Sequence, residues 1–176
     1  MFKVFGDFSE GYIPRWSTFK IQNVSFINKN LSLNGMFNQE RKRKLEETQG
    51  VCDNCYAAGF YVAGFFDDFL SVEPDTAYAV FNVLEELSQP TDYCFMGIIS
   101  PLKTIPPSDL KMLYHLAIVI RASPIKTFHR NGHKGILEEK DWSDQVIQGI
   151  LQSGSRVEYR KIPQGEEMEQ FRKRYG

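Results

Sequence analysis

Cysteines, histidines and one short acidic run carry most of the reactive chemistry open to this chain of 176 residues. Cys52-Asp53-Asn54-Cys55 has the spacing of a redox pair, or of half a metal site. As a redox pair it gains from a helix N-terminus, whose partial positive charge stabilises a thiolate. It loses from Asp53, which sets a negative charge beside both sulfurs. As half of a zinc site it needs two more ligands, and His129 and His133 have the nominal separation. Whether those rings converge depends on the local fold. Asn131-Gly132 between two runs is the strongest short signal for a β-hairpin. A two-residue turn there sets Arg130 opposite His133 and His129 opposite Lys134, so the two rings point to opposite sides of the sheet. The expectation is no ion shared by His129 and His133 and no cofactor, with Cys52 and Cys55 as the weaker metal-binding alternative.

The second half of that hairpin ends in Glu138-Glu139-Lys140, the Glu-x-Lys pattern with which metal-dependent nucleases bind a cation and activate water. The partner carboxylate is missing, because no Asp lies between Leu110 and Glu138. A catalytic reading therefore groups Arg130, His133, Glu138 and Lys140 around the hairpin, in a hydrolase or transferase acting on nucleic acid or a nucleotide. Other nucleophilic schemes find less. Cys94 sits in the apolar run from Tyr93 to Ser100, the setting of an inert small hydrophobe, and neither a Gly-x-Ser-x-Gly elbow nor a glycine-rich phosphate loop occurs.

Binding offers a better fit to the residue types. Tyr12, Trp16, Trp142, Tyr159 and Tyr175 lie beside charges rather than within apolar stripes, and Tyr, Trp and Arg dominate contact hot spots. The expected contact set is Tyr12, Arg15, Trp16, Arg130, His133, Trp142 and Tyr159. It belongs to a protein that acts on another macromolecule as an inhibitor, immunity or accessory factor rather than as an enzyme. Arg41-Lys42-Arg43-Lys44 supplies the alternative, nucleic-acid contact, since adjacent cations release phosphate counterions. Glu40, Glu46 and Glu47 neutralise that neighbourhood, which favours a solvated helix from Asn38 to Thr48 whose one large apolar residue, Leu45, buries little.

The elements that would position these residues are read from periodicity. The first 37 residues carry strand signals and suggest a small N-terminal β subregion, followed by the charged helix or excursion of residues 38–50. Asp53 can cap a helix that buries Ala58, Val62, Phe65 and Phe69, and Asp75 a second that runs to about Ser88 with Ala77, Phe81 and Leu84 in one row. Tyr93 to Ser100 reads as a buried strand. From Ser108 the pattern of Leu110, Leu113, Ala117 and Ile120 fits a helix, although LAIVIRA at 116–122 is β-branched enough to be a central strand instead. The hairpin follows, then a helix capped by Ser143 and expected to bury Val146, Ile147, Ile150 and Leu151. A strand from Arg156 to Ile162 with one wet face comes next, and last a charged helix anchored by Met168 and Phe171.

Strands in groups and helices in groups specify one α+β domain: a small antiparallel sheet, a packed helical pair, and a C-terminal hairpin-helix-strand-helix unit. Composition agrees, with 42% hydrophobic and 24% charged residues and an aromatic-rich core built from 14 Phe and 8 Tyr. A net charge of −1, from 21 basic and 22 acidic side chains, leaves no overall field to draw the chain to nucleic acid or an anionic membrane. No apolar run of spanning length occurs, the first residues lack the apolar core of a signal peptide, and an odd number of cysteines suits reduced thiols. The expected compartment is the cytoplasm, with no membrane contact.

Overall fold

The structure, a computed structural model, describes residues 39–47, 54–67, 72–101, 111–131 and 135–175. In chain order these form α1 (Gln39–Glu47), α2 (Cys55–Val62), α3 (Pro74–Val83), β1 (Glu86–Leu87), β2 (Cys94–Pro101), β3 (Lys111–Ala122), β4 (Ile125–Arg130), β5 (Leu137–Asp141), α4 (Asp144–Gln152), β6 (Arg156–Lys161) and α5 (Glu166–Tyr175). The strands make one antiparallel sheet in the order β1-β6-β2-β3-β4-β5. This is the single α+β domain that the grouping of strands and helices specifies. No helix among the described residues is long and apolar enough to cross a membrane.

Strand β2 shows why the sheet needs cover on both sides. Its sequence is continuously apolar, and its residues alternate between two separate cores. Phe95 and Ile99 join the larger core with α1, α2, α3 and α5, through Leu45, Phe60, Phe65, Phe81 and Met168. Cys94, Met96 and Ile98 join a smaller one with Ala117, Val119 and Trp142, on which Ile147 and Ile150 of α4 pack. Gly97 belongs to the larger face. A Cβ there would lie 2.5 Å from the Phe81 ring tip and 2.9 Å from Leu113, so the absent side chain lets α3 approach the sheet.

The helical pair holds, with shifted ends. Asn54, not Asp53, is the cap seen on α2: its side chain accepts from the Ala57 N–H at 2.9 Å. Asp53 lies outside the described residues. The helix stops at Val62 rather than near Phe69 because Gly64 takes φ +88°, with Gly64 N–H donating to Tyr61 O and Phe65 N–H to Phe60 O. That is a Schellman closure, which the left-handed residue makes possible. Helix α3 starts with Pro74 at its first position and has no side-chain cap. It ends at Val83 because Glu86 and Leu87 are taken as an edge strand against Arg160 and Tyr159 of β6.

Three expectations give way to tertiary packing. The segment from Lys111 is strand β3 along its whole described length, so its helical periodicity is overruled and the β-branched run prevails. In α4 only Ile147 and Ile150 reach the smaller core, while Val146 and Leu151 stay exposed, because a helix on the sheet buries one stripe. The wet face of β6 is also partly covered. Arg160 is buried, lying over the Phe81 ring and bonded to Glu86 and Glu158. Replacing Gly97→Ala should lower unfolding free energy by about 1–3 kcal/mol through overpacking against Phe81, measurable by urea denaturation.

Candidate functional site

The site begins with an irregularity in β3. Ile98 pairs with His115 and Ile99 with Leu113, so Tyr114 is an extra residue inserted opposite β2. The bulge lets Leu113 and Leu116 both enter the larger core, while His115 opposes Ile98 and turns to the other side of the sheet. Strand β4 presents Thr127 and His129 to that same side, as the Val119↔Thr127 and Ile118↔Phe128 pairs require. Strand β5 adds Glu138 opposite His129 and Lys140 opposite Thr127. Strand alternation thus gathers five polar side chains beside the smaller core.

These groups touch in sequence. His115 Nε2 and His129 Nδ1 are 2.7 Å apart, with the two rings perpendicular and their centroids at 4.8 Å. His129 is only 3% exposed, and its Nε2 is buried without a hydrogen-bond partner. That atom lies 3.5 Å from Glu138 Oε1, a contact that is Coulombic rather than a hydrogen bond. Trp142 closes one flank by donating from Nε1 to Thr127 Oγ1 at 2.7 Å, and Lys140 Nζ lies 5.1 Å from the centre of the Trp142 ring. Burial, with the nearby His129 and Lys140, pushes the His115 imidazole down to about 4. Burial also depresses His129, against the opposing pull of Glu138 and with the help of Lys140. Both rings are therefore neutral at neutral pH, each with one N–H and one lone pair.

The hairpin that carries the site differs from the tight turn expected. Arg130 pairs with Leu137 and His129 with Glu138, so the connection is six residues long rather than two. Asn131 N–H donates to Ile136 O across its ends, and Gly135 passes so close to Asn131 that a Cβ would collide with its carbonyl oxygen. The longer loop carries β5 far enough along β4 for Leu137 to pack on the larger core and Trp142 to fill the smaller one. Packing outweighs the Asn-Gly turn preference.

Several expected contact residues are enclosed. Trp142 is 6% exposed and serves as core, and Tyr159 is half-buried against the same cluster. Arg130 is 3% exposed, with one guanidinium N–H donating to Gly135 O at 2.6 Å and its Nε buried without a partner. Of the expected catalytic group, Glu138 and Lys140 share a face, whereas Arg130 comes from the alternate side of β4. Tyr12, Arg15, Trp16, His133 and Cys52 lie outside the described residues. Cys55 and Cys94 are buried, and burial raises both thiols. No cluster of three metal-ligating side chains occurs among the described residues.

Helix α1 is docked rather than solvated all round, contrary to expectation: Arg41 is buried and Lys42 and Lys44 are partly covered, while Arg43 stays exposed. Leu45 is buried, and Arg41, 3% exposed, donates to Phe66 O at 2.6 Å and pairs with Asp67. Lys42 pairs with Glu139 and Glu46, Arg43 with Glu47, and Lys44 with Glu40. Charge alternation built a docked helix in place of a free cationic patch.

His115 escapes a reading by motif because nothing in its neighbourhood marks it except a lone imidazole in an apolar run. Taking 111–122 as a strand would have placed it near the hairpin. Tyr114 and Ile136, 65% and 69% exposed, are large side chains that periodicity alone does not single out. In comparisons with known proteins the chain matches no family model, and no curated protein and no solved structure shows significant similarity to it.

A histidine held below its unfolded value near 6.5 destabilises the fold once the unfolded chain binds the extra proton. Stability should be complete above about pH 6.5 and fall as the pH drops towards 4, by on the order of 3 kcal/mol for His115. Urea unfolding of the native chain and of His115→Gln at pH 7 and pH 4.5 checks this, with the shallower pH dependence expected in the variant.

Proposed function

We propose that this protein acts by contact with another protein, as an inhibitor, immunity or accessory factor, through the end of the sheet where β3 begins and the β4–β5 loop closes. The observation that carries this reading is the exposure of Tyr114 and Ile136 on neighbouring parts of that end. Ile136 accepts a hydrogen bond from Asn131 at the base of the loop, and Tyr114 sits in the β3 bulge. A tyrosine held in a bulge is anchored at its backbone and free at its ring, because the Tyr56 hydroxyl donates to the Leu113 carbonyl behind it. Binding at such a residue orders no further backbone and only the two torsions of the side chain, so the entropy cost of an aromatic anchor stays low.

A second reading, a hydrolase or transferase acting on nucleic acid or a nucleotide, is favoured by a different observation. His115, His129, Glu138 and Lys140 occupy one face of three adjacent strands, so acid–base groups and a cation lie side by side. The compartment in which either activity takes place is proposed to be the cytoplasm, on the odd number of cysteines alone.

A photo-crosslinking amino acid placed at position 114 or position 136 should capture one common protein from source-cell extract, whereas the same probe at position 43 on α1 should not. Tyr114→Ser with Ile136→Ser should weaken that partner's binding about 30-fold while leaving the urea midpoint nearly unchanged. Unaltered binding by the double variant would remove the surface from consideration.

A further inference from the structure

We propose that Glu138, His129 and His115 form a proton relay whose working end is the Nδ1 atom of His115, placed to take a proton from water during hydrolysis of a phosphate ester. The inference rests on the second reading above and assigns its reactive atom.

The hydrogen-bond pattern fixes the direction of the relay. One of the two facing nitrogens, His115 Nε2 or His129 Nδ1, must donate across the 2.7 Å gap and the other accept. If His129 donated from Nδ1, its remaining lone pair, on the buried Nε2, would point at the Glu138 carboxylate 3.5 Å away. A buried lone pair would then face a partly exposed carboxylate, two concentrations of negative charge. With the proton on His129 Nε2 instead, the positive end of an N–H lies beside the carboxylate oxygen 3.5 Å away, Nδ1 becomes the acceptor, and His115 donates from Nε2. This arrangement leaves the lone pair of His115 on Nδ1. That atom bonds to no described residue, and unlike His129 Nε2 it is not among the buried orphan atoms of this half-buried side chain, so it reaches solvent.

A proton arriving at His115 Nδ1 makes an imidazolium whose charge is shared through His129 with Glu138. The carboxylate therefore stabilises the charged form without itself taking the proton. Glu138 and His129 are positioning residues, and His115 is the catalytic one. Lys140 supplies the reason for an anionic substrate. It is exposed on the same face, stacks over Trp142, and pairs with no carboxylate among the described residues. A phosphate oxygen would satisfy it and would offset the charge that opposes protonation of both rings.

In the step itself, a water O–H gives its proton to His115 Nδ1 as the water oxygen bonds to phosphorus. The bond from phosphorus to the leaving alcohol oxygen breaks, and that oxygen takes the proton back from Nδ1. Water is consumed, an alcohol and a phosphate monoester form from a diester, and nothing is oxidised or reduced.

The test pairs histidine 15N NMR of the full chain with turnover of bis(p-nitrophenyl) phosphate. At neutral pH both His115 and His129 should carry their proton on Nε2, and Glu138→Ala should convert His129 to a mixture of tautomers. His115→Gln should lower kcat about 100-fold or more, and Glu138→Ala should lower kcat with little change in KM. Glu138 lies on an edge strand, so its variant keeps the test usable if His115→Gln fails to fold. A proton on His115 Nδ1 overturns the relay, as does turnover that survives in His115→Gln. The expected tautomers with no turnover by the native chain overturn the phosphate-ester reading on which the inference rests.

Discussion

Strand β2 imposes the constraint from which the rest of the architecture follows. It is hydrogen-bonded on one side to β3 and on the other to β6, and its side chains are buried on both faces. A strand in that position exposes no polar face, so helices or large side chains must cover each side of the sheet. The larger face receives α2 and α3 directly, with Gly97 lowering the surface so that Phe81 can seat. The smaller face receives Trp142 and one stripe of α4. Burial of apolar side chains at about 1.5–3 kcal/mol each makes these two layers the main source of stability.

Polar groups within the layers act as ties between elements distant in sequence. Arg41 of α1 bonds to the carbonyls of Tyr61 and Phe66 and to Asp67, and Arg172 of α5 grips the same carboxylate. Partial burial raises the proton affinity of Asp67, but the two guanidinium groups outweigh it and hold the carboxyl below its ordinary range. The pair of arginines thereby joins the start, middle and end of the described chain at one anion. Arg41 is buried while the carboxylate it meets is exposed, so the carbonyls of Tyr61 and Phe66 help hold the guanidinium where water cannot. The clearest consequence is geometric: α1 is fixed where Lys42 reaches Glu139 and lies over Phe128.

The candidate site is a product of these same constraints. The bulge at Tyr114 reconciles two demands on β3, that Leu113 and Leu116 both face the larger core and that the strand stay paired with β2. Its by-product is an exposed tyrosine on one side of the bulge and an imidazole on the other. The proposed contact surface and the proposed relay therefore share one backbone irregularity, and each uses what core packing left over. Bulges re-aim side chains in this way at sheet edges and functional sites.

Local chemistry in the sequence determined much of the element list. Ser143 caps α4, with its side chain accepting from the Val146 N–H, and Gly64 ends α2. The apolar run of β2, the hairpin strands, β6 and the Met168 anchor of α5 also follow from patterns within a few residues. The choice between helix and strand at Lys111–Ala122 did not, because its apolar spacing satisfies either period until neighbouring strands offer their backbone hydrogen bonds. Nor did the hairpin register, which Leu137 and Trp142 set through two different cores against the preference of Asn131-Gly132. The meeting of His115 with His129 depended on both decisions. Composition and periodicity determined an antiparallel α+β chain with an aromatic core, whereas the polar cluster came from strand pairing, which acts between residues that the sequence keeps apart.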